Sequence, residues 1–166
     1  QLSTNTVVQV LAAMVVSGTF AVSAYAGPRA VVYSTLTGGV GWLAYLGAIG
    51  VGMGPAAASS LAALAAGFLS QLLASRLRVP ALALSMAGIV PLMPGLAVYS
   101  GLFEIVQSAP GAGLTAGLTT LLGAAGIGMG LAAGVSMGSF LARPLSTELD
   151  RGHRRALRRS AGDARE

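Results

Sequence analysis

Five apolar stretches, each long enough to cross a lipid bilayer, leave this chain little choice of fold. A helix rising ~1.5 Å per residue needs about 20 apolar residues to span ~30 Å of hydrocarbon. The stretches cover residues 6–26, 30–50, 55–75, 79–107 and 114–142, and Glu104 is the only charged residue inside any of them. Charged residues make up 9% of the chain, against about 25% in soluble domains, which excludes an ordinary soluble enzyme. The 24 glycines and 7 prolines are dispersed through the apolar runs, the texture of packed transmembrane helices. With no cysteine, the chain has no disulfide framework, thiolate nucleophile or thiolate metal site.

Charge placement sets an expected orientation. All 10 cations are arginine, at Arg29, Arg76, Arg78, Arg143, Arg151, Arg154, Arg155, Arg158, Arg159 and Arg165. They follow the first, third and fifth stretches, so five crossings put every one of them on the same side. Basic loops stay in the cytoplasm, which predicts a cytoplasmic carboxy terminus and an amino terminus outside. Because the chain opens with Gln1 and its first span enters from outside, an odd number of spans or a cleaved segment is expected to precede it. Residues 6–26 are themselves too long for a signal peptide and lack a basic leading region.

The fourth stretch carries the most distinctive pattern, Pro91-Leu92-Met93-Pro94-Gly95 near its centre. An interior proline removes an amide donor and clashes with the preceding turn, so Pro91 and Pro94 deprive the carbonyls of Ala87 and Val90 of their helical partners. Pro94 suits the first turn of a new helix, whose free amides come from Gly95, Leu96, Ala97 and Val98. The predicted outcome is a helix discontinuous between Pro91 and Gly95. One severed end offers carbonyls and the other amides, each worth ~0.5 of an elementary charge, which complements a small zwitterion. The substrate-binding candidates are therefore Ala87, Gly88, Val90, Pro91, Pro94, Gly95 and Leu96, with the flanking polar residues Ser85, Tyr99 and Ser100. The competing reading is a proline kink whose carbonyls are satisfied by neighbouring serines and threonines.

At this stretch the sequence resembles the threonine/serine exporter family of bacterial inner-membrane proteins. The residues that carry the resemblance are Pro80, Gly88-Ile89-Val90-Pro91-Leu92-Met93-Pro94-Gly95, Tyr99-Ser100-Gly101-Leu102 and, upstream, Gly27-Pro28-Arg29-Ala30 and Gly39-Val40-Gly41-Trp42. It covers residues 6–142 and resembles the carboxy-terminal half of a single-chain exporter, or the small membrane subunit of two-subunit relatives. The resemblance implies export of small hydroxy amino acids by antiport with protons, and an amino-terminal half or partner subunit that supplies further spans. Two-subunit relatives imply dicarboxylates as the alternative substrate. Five further spans of opposite orientation would complete an inverted repeat suited to alternating access.

An ionisable group inside a span is a functional candidate, and Glu104 has two readings. Nine residues beyond Gly95 carry it ~14 Å along a helix, which places it either as a hydrated carboxylate at the outer interface or as a proton acceptor one turn from Ser100. Most hydroxyls inside the spans are expected in backbone or interhelical hydrogen bonds. Gly126, Gly130, Gly134 and Gly138 recur every fourth residue, forming a flat stripe for close approach of another helix. The segments 47–54 and 123–130 match at six of eight positions, through an internal repeat or through composition alone.

No Walker-type lysine and no Gly-x-Gly-x-x-Gly after a strand is present, so nucleotide-driven transport is unsupported. The spans contain no histidine or aspartate to activate a nucleophile, which disfavours an intramembrane hydrolase, and neither cofactor nor metal is expected. Residues 144–166 form a basic tail suited to anionic headgroups; lacking aromatics for stacking, it is not expected to bind nucleic acid. The expected architecture is all-α: a polytopic membrane protein of five transmembrane helices over residues 1–143, a cytoplasmic tail over 144–166, and assembly into an oligomer. A non-transporting assembly subunit and a passive channel are the competing functional classes.

Overall fold

The computed structural model describes residues 4–77, 81–107 and 112–163. Its elements are α1 (Thr4–Ser23), α2 (Pro28–Gly50), α3 (Pro55–Leu77), α4 (Ala81–Ile89), one 3₁₀ turn (Val90–Leu92), α5 (Gly95–Gln107) and α6 (Ala112–Asp163). No strand occurs among the described residues. Glycine and proline punctuate the chain as local chemistry dictates. Pro28 opens α2 behind an extended Gly27, where a missing N–H costs nothing, and Pro55 opens α3 in the same way behind Gly54.

Two of the helices end in Schellman turns. At the end of α2, Gly52 sits at φ +90°, its N–H donates to the Ile49 carbonyl, and the Met53 N–H donates to that of Ala48. The end of α1 repeats the pattern, with Tyr25 and Ala26 donating to Val22 and Ala21. There the left-handed position is held by Tyr25 at φ 54°, a conformation that strains a side chain by roughly 1–2 kcal/mol. This turn ends α1 at Ser23, three residues short of the expected boundary. At the other extreme α6 runs unbroken through Pro144 for 52 residues.

Inside and outside are inverted relative to a soluble bundle. Apart from Leu84 on α4, the fully buried side chains are small, among them Ala58, Ala62, Ala63 and Ala66 on α3, with Ser17, Ser34, Thr37 and Ser70. Large apolar residues face outward instead, among them Val15, Leu96, Val106, Leu122 and Phe140. Lipid tails give helices no hydrophobic reason to associate, so packing relies on small residues that let backbones approach. In water such a surface would aggregate.

The glycine contacts define helix directions. Gly130 lies against Ala56 and Ser60, Gly134 against Ser60 and Ala63, and Gly138 against Leu64 and Phe68, so α3 and α6 run parallel. Gly101 and Gly117 meet where α5 crosses α6, an antiparallel pair. The segment from α4 through α5 therefore returns the chain between two parallel helices. A core of Ala62, Ala63, Leu92 and Leu131, flanked by Trp42, Tyr45, Ile89 and Ile127, ties α3, α6 and the 3₁₀ turn together.

Among the described residues, three helical stretches are long and apolar enough to cross a membrane, Asn5–Ser23, Pro55–Ser75 and Leu114–Pro144. The pair Ala81–Leu92 and Gly95–Gln107, bent by 46°, makes a fourth if it counts as one span. The five apolar stretches of the sequence predict five. α2 falls outside this set through its composition, because the glycines, hydroxyl residues and tyrosines of Pro28–Gly50 dilute its hydropathy; its Ala30, Ser34, Thr37, Gly38, Gly39, Gly41 and Ala48 are buried against neighbours.

Candidate functional site

The interruption between α4 and α5 follows from the proline chemistry. α4 ends at Ile89 and is followed by the 3₁₀ turn, and Met93 is extended at φ −63°, ψ 133°. α5 then begins at Gly95, with the Val98 N–H donating to the Pro94 carbonyl at 3.0 Å. Two details of the expectation are corrected: the Val90 carbonyl is not bare, because the Met93 N–H donates to it at 3.2 Å, and the Val98 amide is not free, because Pro94 stands just before the helix and accepts its hydrogen bond. A 3₁₀ bond to residue i+3 replaces the α-helical bond that Pro94 cannot make. At the other side of the break, the amides of Gly95, Leu96 and Ala97 begin a helix and have no acceptor within it.

Depth can be read from α3. Leu92 shares an apolar cluster with Ala62 and Ala63, three and two residues from the centre of the apolar stretch Pro55–Ser75. At ~1.5 Å per residue the interruption is level with a point about 3–5 Å from the middle of that helix.

The candidate residues divide into two groups. Ser85, Ala87 and Gly88 are buried in the bundle. Gly88 sits so close to α2 and α3 that a Cβ there would lie 2.7 Å from Thr37 Cγ2 and 3.6 Å from the Ala66 methyl. The Ser85 hydroxyl donates back to the Leu82 carbonyl at 3.0 Å, a local bond of the kind that serines commonly make within helices. Val90, Pro91 and Pro94 are half-buried, as is Ser100. Gly95 and Leu96 face outward, together with Tyr99, whose ring stacks on Phe103 with centroids 5.9 Å apart. Within this chain, then, the carbonyl-side residues are packed and the amide-side residues are open.

Glu104 is half-buried and turned toward α6, where the Thr120 hydroxyl donates to its Oε2 at 3.0 Å. The carboxylate is thus engaged across a helix pair, an arrangement that its sequence position did not reveal. Of the glycine stripe, Gly130, Gly134 and Gly138 seat against α3, whereas a Cβ on Gly126 would meet nothing within 4 Å. Two residues that the sequence did not place at the site stand beside the interruption, one of them, Trp42, already among those that carry the family resemblance. Thr37 faces Gly88, and Trp42 packs on the cluster that holds Leu92 with its indole Nε1 buried and unpartnered among the described residues. An orphan indole N–H is costly in an apolar interior, and only the three-dimensional packing exposes it.

Long apolar helices, a small-residue interior and an outward apolar surface define a multi-pass membrane protein built around a bent helix pair. The chain belongs to the threonine/serine exporter family: the family described as "Threonine/Serine exporter, ThrE" matches residues 9–137. Among similar proteins, a "Probable threonine/serine exporter" of Mycobacterium tuberculosis is 39% identical over 125 residues, covering 75% of this chain and 23% of that protein. A "Threonine/serine exporter" of Corynebacterium glutamicum is 36% identical over 141 residues, covering 85% of this chain and 28% of that protein. The chain thus spans about a quarter of the length of these curated relatives. No solved structure matches it.

Proposed function

We propose that this chain is the carboxy-terminal membrane half, or a separate small membrane subunit, of an exporter for threonine and serine in the bacterial inner membrane. The observation that carries the reading is the 46° bend beside the centre of α3, in a chain whose relatives are named threonine/serine exporters. In this reading the α4–α5 pair is one broken span and α2 is the fifth crossing. The arginine-bearing ends lie in the cytoplasm, and the amino terminus lies outside.

Transport works by alternating access about the interruption. The α5 amides at Gly95, Leu96 and Ala97 take the substrate carboxylate, as helix amino termini favour anions. Carbonyls at the end of α4 take the ammonium, and Ser100 and Tyr99 lie within reach of the substrate hydroxyl. The open amide side then faces the amino-terminal half or partner subunit, which closes the site. Glu104, held by the Thr120 hydroxyl, is the proton-coupling group. The basic tail lies against anionic lipid.

The test is threonine counterflow by the full-length protein in proteoliposomes, with and without an imposed proton gradient. Counterflow is expected to vanish in Pro94→Ala/Gly95→Leu while assembly persists. Glu104→Gln is expected to keep counterflow but lose gradient-driven export. Unaltered transport by the double variant refutes the site and leaves an assembly role. Succinate moving in place of threonine identifies a dicarboxylate exporter, and flux indifferent to the gradient identifies a channel.

A further inference from the structure

A cavity of about 640 Å³ opens where the end of α1, the start of α2 and the start of α4 converge, its α4 residue Ala83 lying eight residues before Pro91. Its walls are mostly apolar, with Phe20 from α1, Ala24 just past its end and Ala83 from α4. Polar groups enter at two levels. At the rim stand Arg29, exposed, and Tyr25, 98% exposed. Deeper in the wall is Ser34, 1% exposed and without a hydrogen-bond partner among the described residues.

The rim is also the amino terminus of α2. Gly27 supplies no side-chain cap, Pro28 occupies the first helical position, and Val31 is the first residue of the helix to donate, to the Gly27 carbonyl at 3.1 Å. The amides of Arg29 and Ala30 therefore point out of the helix end without an intrahelical acceptor. An uncapped 23-residue helix with a guanidinium beside it is a site for an anion.

From these features we infer that the cavity holds one anionic diacyl phospholipid. Its phosphate sits on the α2 amino terminus and Arg29, its ester carbonyl accepts the Ser34 hydroxyl, and an acyl chain runs between α1 and α4. The spacing agrees: five residues from Arg29 to Ser34 make ~7.5 Å of helix, the separation of a phosphate from the esters of its glycerol. Size also favours a lipid, since a free amino acid would satisfy the rim and leave the apolar walls empty. Arg29 lies on the arginine-rich end of the bundle, where basic pockets between helices meet anionic headgroups. Tyr25 has the amphipathic ring that settles at that depth.

The experiment is native mass spectrometry of the full-length protein, purified in mild detergent and supplied with phosphatidylglycerol or phosphatidylcholine. No transport substrate is present, so the result stands apart from the transport reading. The wild type is expected to retain one phosphatidylglycerol in preference to phosphatidylcholine. Arg29→Gln should lower that retention about fivefold, the loss of one arginine near a charged surface, and Ala24→Phe should abolish it by filling the cavity. Arg158→Gln/Arg159→Gln on the tail should leave it unchanged. Thermal unfolding of each variant shows that the fold persists, and Ser34→Ala, which removes only an unpaired hydroxyl, is a second probe that should weaken retention without loss of stability. Equal retention by Arg29→Gln and the wild type, loss through the tail variant alone, or displacement of the bound species by inorganic phosphate or threonine would each overturn the assignment.

Discussion

The pairing of α3 with α6 predicts opposite outcomes for one chemical change made at two glycines a turn apart. Replacing glycine by alanine in a helix gains up to about 1 kcal/mol in intrinsic propensity, and that gain is common to Gly126 and Gly130. The surroundings differ. A Cβ on Gly126 would meet nothing within 4 Å, whereas one on Gly130 would stand 2.8 Å from the Ala56 carbonyl oxygen, itself backbone. Ordinary contact begins at 3.4 Å, so the helices must part by about 0.6 Å, which also loosens the seats of Gly134 and Gly138 further along. Overpacking of this kind costs about 1–3 kcal/mol. Gly126→Ala should therefore be neutral or mildly stabilising, and Gly130→Ala should lie below it by about 1–3 kcal/mol. At about 2–4 °C per kcal/mol for a unit of 150–250 residues, thermal unfolding in detergent separates them by several degrees. Equal midpoints, or a larger loss at Gly126, would refute the reasoning, the second by showing another helix seated on that glycine.

The interruption offers a rescue test: Gly88→Ala places a methyl 2.7 Å from Thr37 Cγ2 but 3.4 Å from Thr37 Cβ. Thr37→Ser removes the nearer atom, so the double variant should recover at least about 0.5 kcal/mol of coupling in a double-mutant cycle. At the α1–α2 turn, Tyr25→Val forces a β-branched residue into positive φ and should cost about 1–2 kcal/mol, whereas Tyr25→Asn should be neutral or better; unfolding midpoints give the order. Thr120→Val deletes the donor to Glu104 and should cost about 1.5–3 kcal/mol, the range for bonds to charged groups. The same substitution in a Glu104→Gln background, which keeps an acceptor oxygen but no charge, should cost less, and equal costs would show that the carboxylate adds nothing to the bond.

Much of this architecture is written locally along the chain. The apolar runs, the Gly27-Pro28 and Gly54-Pro55 helix starts and the Pro-x-x-Pro-Gly segment each act through their own backbone, so their consequences are legible residue by residue. Even so, the chain stops α1 at Ser23 through a left-handed Tyr25, which no turn signal announced. The candidate site was legible as a place but not as an arrangement. Pro94 removes one bond to the Val90 carbonyl, but the replacement by Met93 depends on how the backbone relaxes.

What the sequence determined unaided is that this chain is helical, suited to lipid and interrupted near Pro91, because proline geometry and the hydration of apolar groups act wherever those residues stand. Tertiary structure alone decided that three glycines of the α6 stripe seat on α3 while Gly126 stays open. It also brought Thr120 to Glu104 and left Trp42 Nε1 and Ser17 Oγ buried without partners among the described residues. The physical reason is that each of these is a meeting of residues far apart in the chain, governed by how closely two backbones can approach, and the spacing of residues within one helix carries no record of its neighbour.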